Sequence, residues 1–257
     1  MPYIEVEGDR VFYARHANSA GGHVPLVLVH GAGENHLAWP AALRRMTGIA
    51  VYAIDLPGHG QSGGDGRSSV AEYAAFVAQW LDALQIERGV IAGHSMGGAI
   101  AQQFGLAYPD RSAALILIAT GARLRVAPQI LDLAQTDLSA AADLITEYEW
   151  GPDTPEPMKR LGKQQLLAHR ADVIYGDYVA CNAFDVIERL GDIRAPTLVI
   201  GGTADRMTPP KYASFLAERI PHARLALIEG AGHMVMLERE AEAAHAVEQF
   251  LRDHGLL

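Results

Sequence analysis

The 257-residue chain predicts an α/β fold, a parallel sheet covered by helices on both faces. Three observations predict it. Short, continuous apolar runs of the kind buried parallel strands need alternate with stretches of helical periodicity. The alternation stops near Gly121 and resumes near Pro196, dividing the chain into a core (residues 1–121 and 190–257) and an inserted helical cap (residues 122–189). The apolar runs end in glycine-rich turns, where an open parallel sheet gathers its ligand-handling groups.

Taken in order, residues 3–7 and 10–14 read as two short strands joined by a Gly8-Asp9 hairpin turn. Residues 25–29 form a buried-strand run that ends in His30-Gly31-Ala32-Gly33-Glu34. Residues 49–54 form the next, ending in Asp55-Leu56-Pro57-Gly58-His59-Gly60. Ser69 and Glu72 form a capping box, and Val70, Tyr73, Ala74, Val77, Trp80, Leu81 and Leu84 make one helical stripe behind it. The run beginning at Val90 ends in Gly93-His94-Ser95-Met96-Gly97, a helix is expected over 97–108, and residues 113–119 are a further strand. Residues 123–189 show helical patterns only, interrupted by the proline-rich stretch 151–157. Strand 196–200, helix 209–220, strand 224–228 and a helix from Glu238 to about Asp253 complete the chain.

The composition, 49% hydrophobic and 20% charged, is ordinary for a globular protein. Asp+Glu is 30 and Lys+Arg is 21, for a net charge of -9. That argues against nucleic acid or an anionic membrane surface as a partner. Cys181 is the single cysteine, so no disulfide forms within the chain. The first residues lack a signal-peptide pattern and no run reaches membrane-spanning length, which makes the cytoplasm the default location. Monomer and homodimer both stay open.

Gly-x-Ser-x-Gly at a strand end is a nucleophile elbow, in which glycines two residues to either side of the serine avoid collision with a neighbouring strand or helix. A serine hydroxyl needs a base, and the base an orienting acid. Among 11 histidines, His233 follows strand 224–228 and is the candidate base. His94 is set aside because it neighbours the nucleophile on the strand, His59 is given a structural role in its turn, and His30 is expected to shape the loop it opens. His16, His23, His169, His222, His245 and His254 are weaker candidates. Asp205, at the end of strand 196–200, is preferred as the acid over Glu229. The oxyanion needs fixed donors, expected from the backbone N–H groups of Met96, at the start of the elbow helix, and Ala32. The cap and the loop after Gly33 should roof a pocket reached by His36, Trp39, Tyr148, Trp150, Met207 and Met234.

The motifs at 30–33, 55–60, 93–98, 202–205 and 232–233, in the chain order Ser, Asp, His, resemble the α/β-hydrolase superfamily over nearly the whole chain. The resemblance implies an eight-stranded, mostly parallel sheet with an antiparallel second strand, an inserted cap, and no metal or cofactor. It implies a serine hydrolase that cleaves carboxylic esters of short to medium acyl chains, with a small-molecule ester as partner. Enol-lactonases, carbon–carbon bond hydrolases, cofactor-free haloperoxidases and small-molecule receptors of the same fold are the alternatives. Relatives often place a proline two residues after the glutamate equivalent to Glu238. This chain has Arg239-Glu240 there, and a less sharply started last helix is expected.

Overall fold

The computed structural model describes residues 2–16 and 24–257; His23 lies outside them. Its strands are β1 (Tyr3–Val6), β2 (Asp9–His16), β3 (Leu26–Val29), β4 (Val51–Ile54), β5 (Gly89–His94), β6 (Ser112–Ile118), β7 (Thr197–Gly202) and β8 (Arg224–Ile228). They form one eight-stranded sheet in the order β1-β2-β4-β3-β5-β6-β7-β8. β2 runs antiparallel to both neighbours, and β4, β3, β5, β6, β7 and β8 run parallel. This is the α/β-hydrolase architecture.

Strand periodicity divides the core between the two faces of this sheet. Val27, Val29, Ile91, Leu115 and Leu117 join one apolar cluster, while Leu26, Leu28, Val90, Ala92, Ala114 and Ile116 join the other. The first cluster is covered by α2 (Val70–Ala83) and α3 (Met96–Ala107), the second by α1 (Ala41–Arg44) and α10 (Glu240–Asp253). Trp80 is fully buried on the first side and Trp39 on the second. The start of α2 follows the capping-box chemistry: Ser69 Oγ accepts the Glu72 N–H at 3.2 Å and donates to its carboxylate at 2.8 Å.

Between β6 and β7 lie α4 (Pro128–Thr136), α5 (Leu138–Glu149), α6 (Glu156–Leu167) and α7 (Ala171–Ala183). They have an apolar cluster of their own, including Ile130, Ala142, Ile145, Leu166, Ile174 and Tyr178, against which Ala32 packs. After β7 come α8 (Pro210–Arg219) and, following β8, α9 (Val235–Glu238). The last helix, expected from Glu238, starts instead at Glu240, after a break at Arg239 (φ -133°, ψ 57°) that separates it from the short α9. The Glu238 side chain is engaged elsewhere: it accepts N–H bonds from Gly151 at 2.9 Å and Gly232 at 3.1 Å and the Thr154 hydroxyl at 2.7 Å.

Candidate active site

The elbow is strained where the sequence requires it. Ser95 sits between β5 and α3 with φ 51° and ψ -114°, a region that residues with a Cβ enter at a cost. Its surroundings over-determine that conformation. Its N–H donates to the Ile118 carbonyl at 2.9 Å, and its carbonyl accepts the Thr120 hydroxyl at 2.8 Å. A Cβ on Gly93 would overlap the Gly97 carbonyl, and one on Gly97 would overlap the Val29 carbonyl. Ser95 is half-buried amid otherwise buried neighbours.

Register explains how two distant N–H groups meet. Val29 of β3 pairs with Gly93 of β5 in a parallel ladder, and Ala32 and Met96 each lie three residues further on. The N–H groups flanking Ala32 are taken: Gly31 donates to Glu34 at 2.6 Å and Gly33 to Asp177 at 2.9 Å. Among the described residues, the N–H groups of Ala32 and of Met96, the first residue of α3, have no hydrogen-bond partner.

The carboxyl ends of β7 and β8 supply the other groups. Asp205 Oδ2 lies 2.9 Å from His233 Nδ1. Asp205 also accepts the N–H groups of Met207 and Thr208, each at 2.8 Å, and the Thr208 hydroxyl at 2.7 Å. Glu229 is exposed. Burial works to raise the Asp205 carboxyl, but the His233 charge and hydrogen bond, with the Thr208 bonds, hold it below the ordinary range. Burial likewise opposes charging His233, and Asp205, Glu34 and Glu149 outweigh it, so the imidazole is held above its ordinary value. The backbone of His233 is clamped: its N–H donates to the Glu149 carbonyl at 2.7 Å, and His94 Nε2 donates to its carbonyl at 3.0 Å.

Ser95 and His233 line one cavity of about 810 Å³ beneath the helices of the insertion. Tyr148, Trp150, Met207 and Met234 also line it. His36 and Trp39, expected there, do not. A short 3₁₀ turn (His36–Ala38) follows Gly33 and turns Leu37 and Ala38 to the cavity instead. Trp39 goes into the core beside Leu43, and His36 binds Asp55 through Nδ1 at 2.8 Å and packs at a tilt against Phe12. Met96 likewise has a buried side chain and does not line the cavity.

Four residues were not given a place at the site by sequence reasoning. His94 is one: it reaches around to His233, with ring centroids 4.9 Å apart, and its Nδ1 lies 3.0 Å from Glu34. The Glu34 carboxyl resists its burial and stays below its ordinary value through His94 and the Gly31 N–H. Glu149 lines the cavity, and burial with the Glu34 charge pushes its carboxyl up to about 7. Glu238 binds the 151–154 turn to the His233 loop. Their partners are 60 or more residues away in the chain for His94–Glu34 and Glu238–Gly151, so only the glutamate in the Gly31–Glu34 turn left a local signal.

The chain and its fold are similar to those of known proteins. A thermophilic esterase of known structure is 35% identical, covering 98% of this chain and 97% of its own, with a TM-score of 0.88. The enol-lactonase from Burkholderia xenovorans LB400 is 25% identical, covering 98% and 100%, with a TM-score of 0.91. The pimeloyl-[acyl-carrier protein] methyl ester esterase of Yersinia enterocolitica is 28% identical over 89% of this chain and 93% of its own length. The model of the alpha/beta hydrolase family matches residues 26–246. No helix among the described residues is long and apolar enough to cross a membrane. The chain belongs to the alpha/beta hydrolase family, and it is a hydrolase.

Proposed function

We propose that the chain hydrolyses carboxylic esters through an acyl-enzyme on Ser95. The observation that carries this reading is the convergence, on one cavity, of Ser95, the Asp205–His233 pair and the Ala32 loop. His233 Nδ1 faces Asp205, leaving Nε2 as the nitrogen that takes the Ser95 proton. Ser95 Oγ attacks the ester carbonyl, and the Ala32 and Met96 N–H groups receive the oxyanion. His233 returns the proton to the departing alcohol. Water, deprotonated by His233, then attacks the acyl-enzyme and frees Ser95 and the acid.

The cavity volume lies in the range of sites that enclose a small molecule. Its apolar lining, with Leu144, Ile145, Met158 and Leu166, suits an acyl chain of short to medium length. The esterase relatives support an open-chain ester. The likeness to an enol-lactonase supports a second reading, a cyclic ester opened by the same steps.

A panel of p-nitrophenyl esters, enol-lactones and a β-diketone tests both. Hydrolysis of p-nitrophenyl butyrate that Ser95→Ala abolishes is the expected result. Turnover that survives Ser95→Ala overturns the nucleophile assignment, and preferred cleavage of the β-diketone overturns the ester class. An enol-lactone with the highest kcat/KM selects the second reading over the first.

A further inference from the structure

We propose that Asp177, reaching across from the insertion, is a positioning residue for the oxyanion hole: it fixes the Gly33 N–H, and with it Ala32, in a mount built by His59 and Tyr73. The proposal rests on the ester-hydrolase reading above and adds a residue to it. Asp177 stands on α7 and is fully buried. Its Oδ2 accepts the Gly33 N–H at 2.9 Å and lies 2.8 Å from His59 Nε2, and its Oδ1 accepts the Tyr73 hydroxyl at 2.6 Å. The Tyr73 oxygen itself accepts the Arg67 N–H at 2.9 Å, so its own proton points to Asp177.

The partners fix the charge state of the mount. His59 Nδ1 lies 2.9 Å from the Pro57 carbonyl, which only accepts, so Nδ1 donates. Nε2 faces the Asp177 carboxyl, whose charge and hydrogen bond outweigh burial and hold His59 above its ordinary value, toward the imidazolium. Its neighbour His30, with ring centroids 4.9 Å away, is neutral: Nδ1 faces the Gly31 carbonyl, and Nε2 accepts the Leu56 N–H at 3.0 Å. A buried carboxylate without a counter-charge is costly. The imidazolium offsets that cost beside the Gly33 N–H.

The geometry goes beyond cap docking because of what Gly33 adjoins. Ala32 is pinned on one side by Glu34 through Gly31 and on the other by Asp177 through Gly33. Gly33 has φ 63°, and a Cβ there would overlap Leu166 of the insertion. The oxyanion loop therefore takes one of its two anchors from the insertion. Rate loss follows displacement of a single donor by even a fraction of its bond length, because the oxyanion develops only in the transition state.

A fluorophosphonate probe tests this without choosing a substrate. Ser95 Oγ forms an O–P bond, the P–F bond breaks, fluoride leaves, and the serine proton passes to His233. Asp177→Asn should lower both the labelling rate and kcat on p-nitrophenyl butyrate by about 10–100-fold, with KM within about 2-fold, in line with partial loss of one oxyanion donor. The double variant His59→Gln/Asp177→Asn, a neutral amide pair, should recover part of that loss. Circular dichroism checks that each variant is folded. Should Asp177→Asn not fold, Tyr73→Phe, which removes one donor from Asp177, should slow labelling by about 3–10-fold.

Labelling of the folded variant at the wild-type rate, or a rise in KM with kcat unchanged, overturns the proposal and leaves the hydrolase reading intact. No labelling of Ser95 in the wild-type protein overturns both.

Discussion

Two of the buried histidine–aspartate pairs in this molecule have nearly the same length, 2.9 Å for His233–Asp205 and 2.8 Å for His59–Asp177. They differ at the far nitrogen. In His59 that nitrogen donates to the Pro57 carbonyl, so both ring nitrogens are engaged by the protein and neither faces the cavity. In His233 the far nitrogen has no hydrogen-bond partner among the described residues, and the residue lines the cavity with Ser95. The same pair is closed in by protein in one place and opens onto the cavity in the other. The carboxylate does not decide which; one backbone carbonyl does.

The largest effect separates the pairs by activity. Asp205→Asn should lower kcat by about ten-thousand-fold, because the wrong tautomer then faces Ser95, while exposed Glu229→Gln should leave kcat unchanged. Steady-state kinetics on p-nitrophenyl butyrate measures both, and a greater loss with Glu229→Gln would break the pairing.

The second effect is on stability. His59→Gln leaves Asp177 buried without a counter-charge and should cost about 3 kcal/mol in urea unfolding. His59, which faces Asp177, Asp55, Tyr73, His30 and His169, is held above its ordinary value because Asp177 outweighs its burial. Its stabilising contribution is therefore complete below the unfolded value of about 6.5 and is lost as pH rises through the higher folded value. Unfolding midpoints taken across pH should fall on the alkaline side in the wild type and less so in His59→Gln.

The third effect is on the pH profile. His233 must be neutral to act, so activity should fall as pH drops through a value above 6.5, since Asp205, Glu34 and Glu149 raise it against its burial. A limb below 6.5 would contradict that environment. The smallest effect is Glu149→Gln: that carboxyl, pushed up to about 7, is charged only on the alkaline side of the limb, so its removal should move the limb only slightly down.

The parts of the site set by neighbouring residues were legible before the fold was known. Gly93, Ser95 and Gly97 announce a turn that only their spacing permits, and Asp205 and His233 each follow an apolar run that could only be a strand. Ala32 was within reach because glycines flank it. Trp39 was misplaced because distance along the chain says nothing about which side of a 3₁₀ turn a residue occupies. His94 was discarded by strand alternation, a rule that ends where β5 turns into the elbow. His59 and Asp177 are 118 residues apart, and Glu238 and Gly151 are 87 apart. No local pattern marks such pairs; they exist only once the insertion has folded back over the sheet.

The Glu149 carbonyl that holds the His233 N–H has a consequence for engineering. The last residue of α5 belongs by sequence to the segment that shapes the pocket, yet by hydrogen bonding it is part of the base, and Glu238 returns the connection from the other side. Grafting a foreign lid onto this scaffold to change its selectivity would detach the imidazole backbone from its anchor. A transplant that retains residues 149–154 from this chain keeps the two functions separable; one that replaces them exchanges the chemistry along with the specificity.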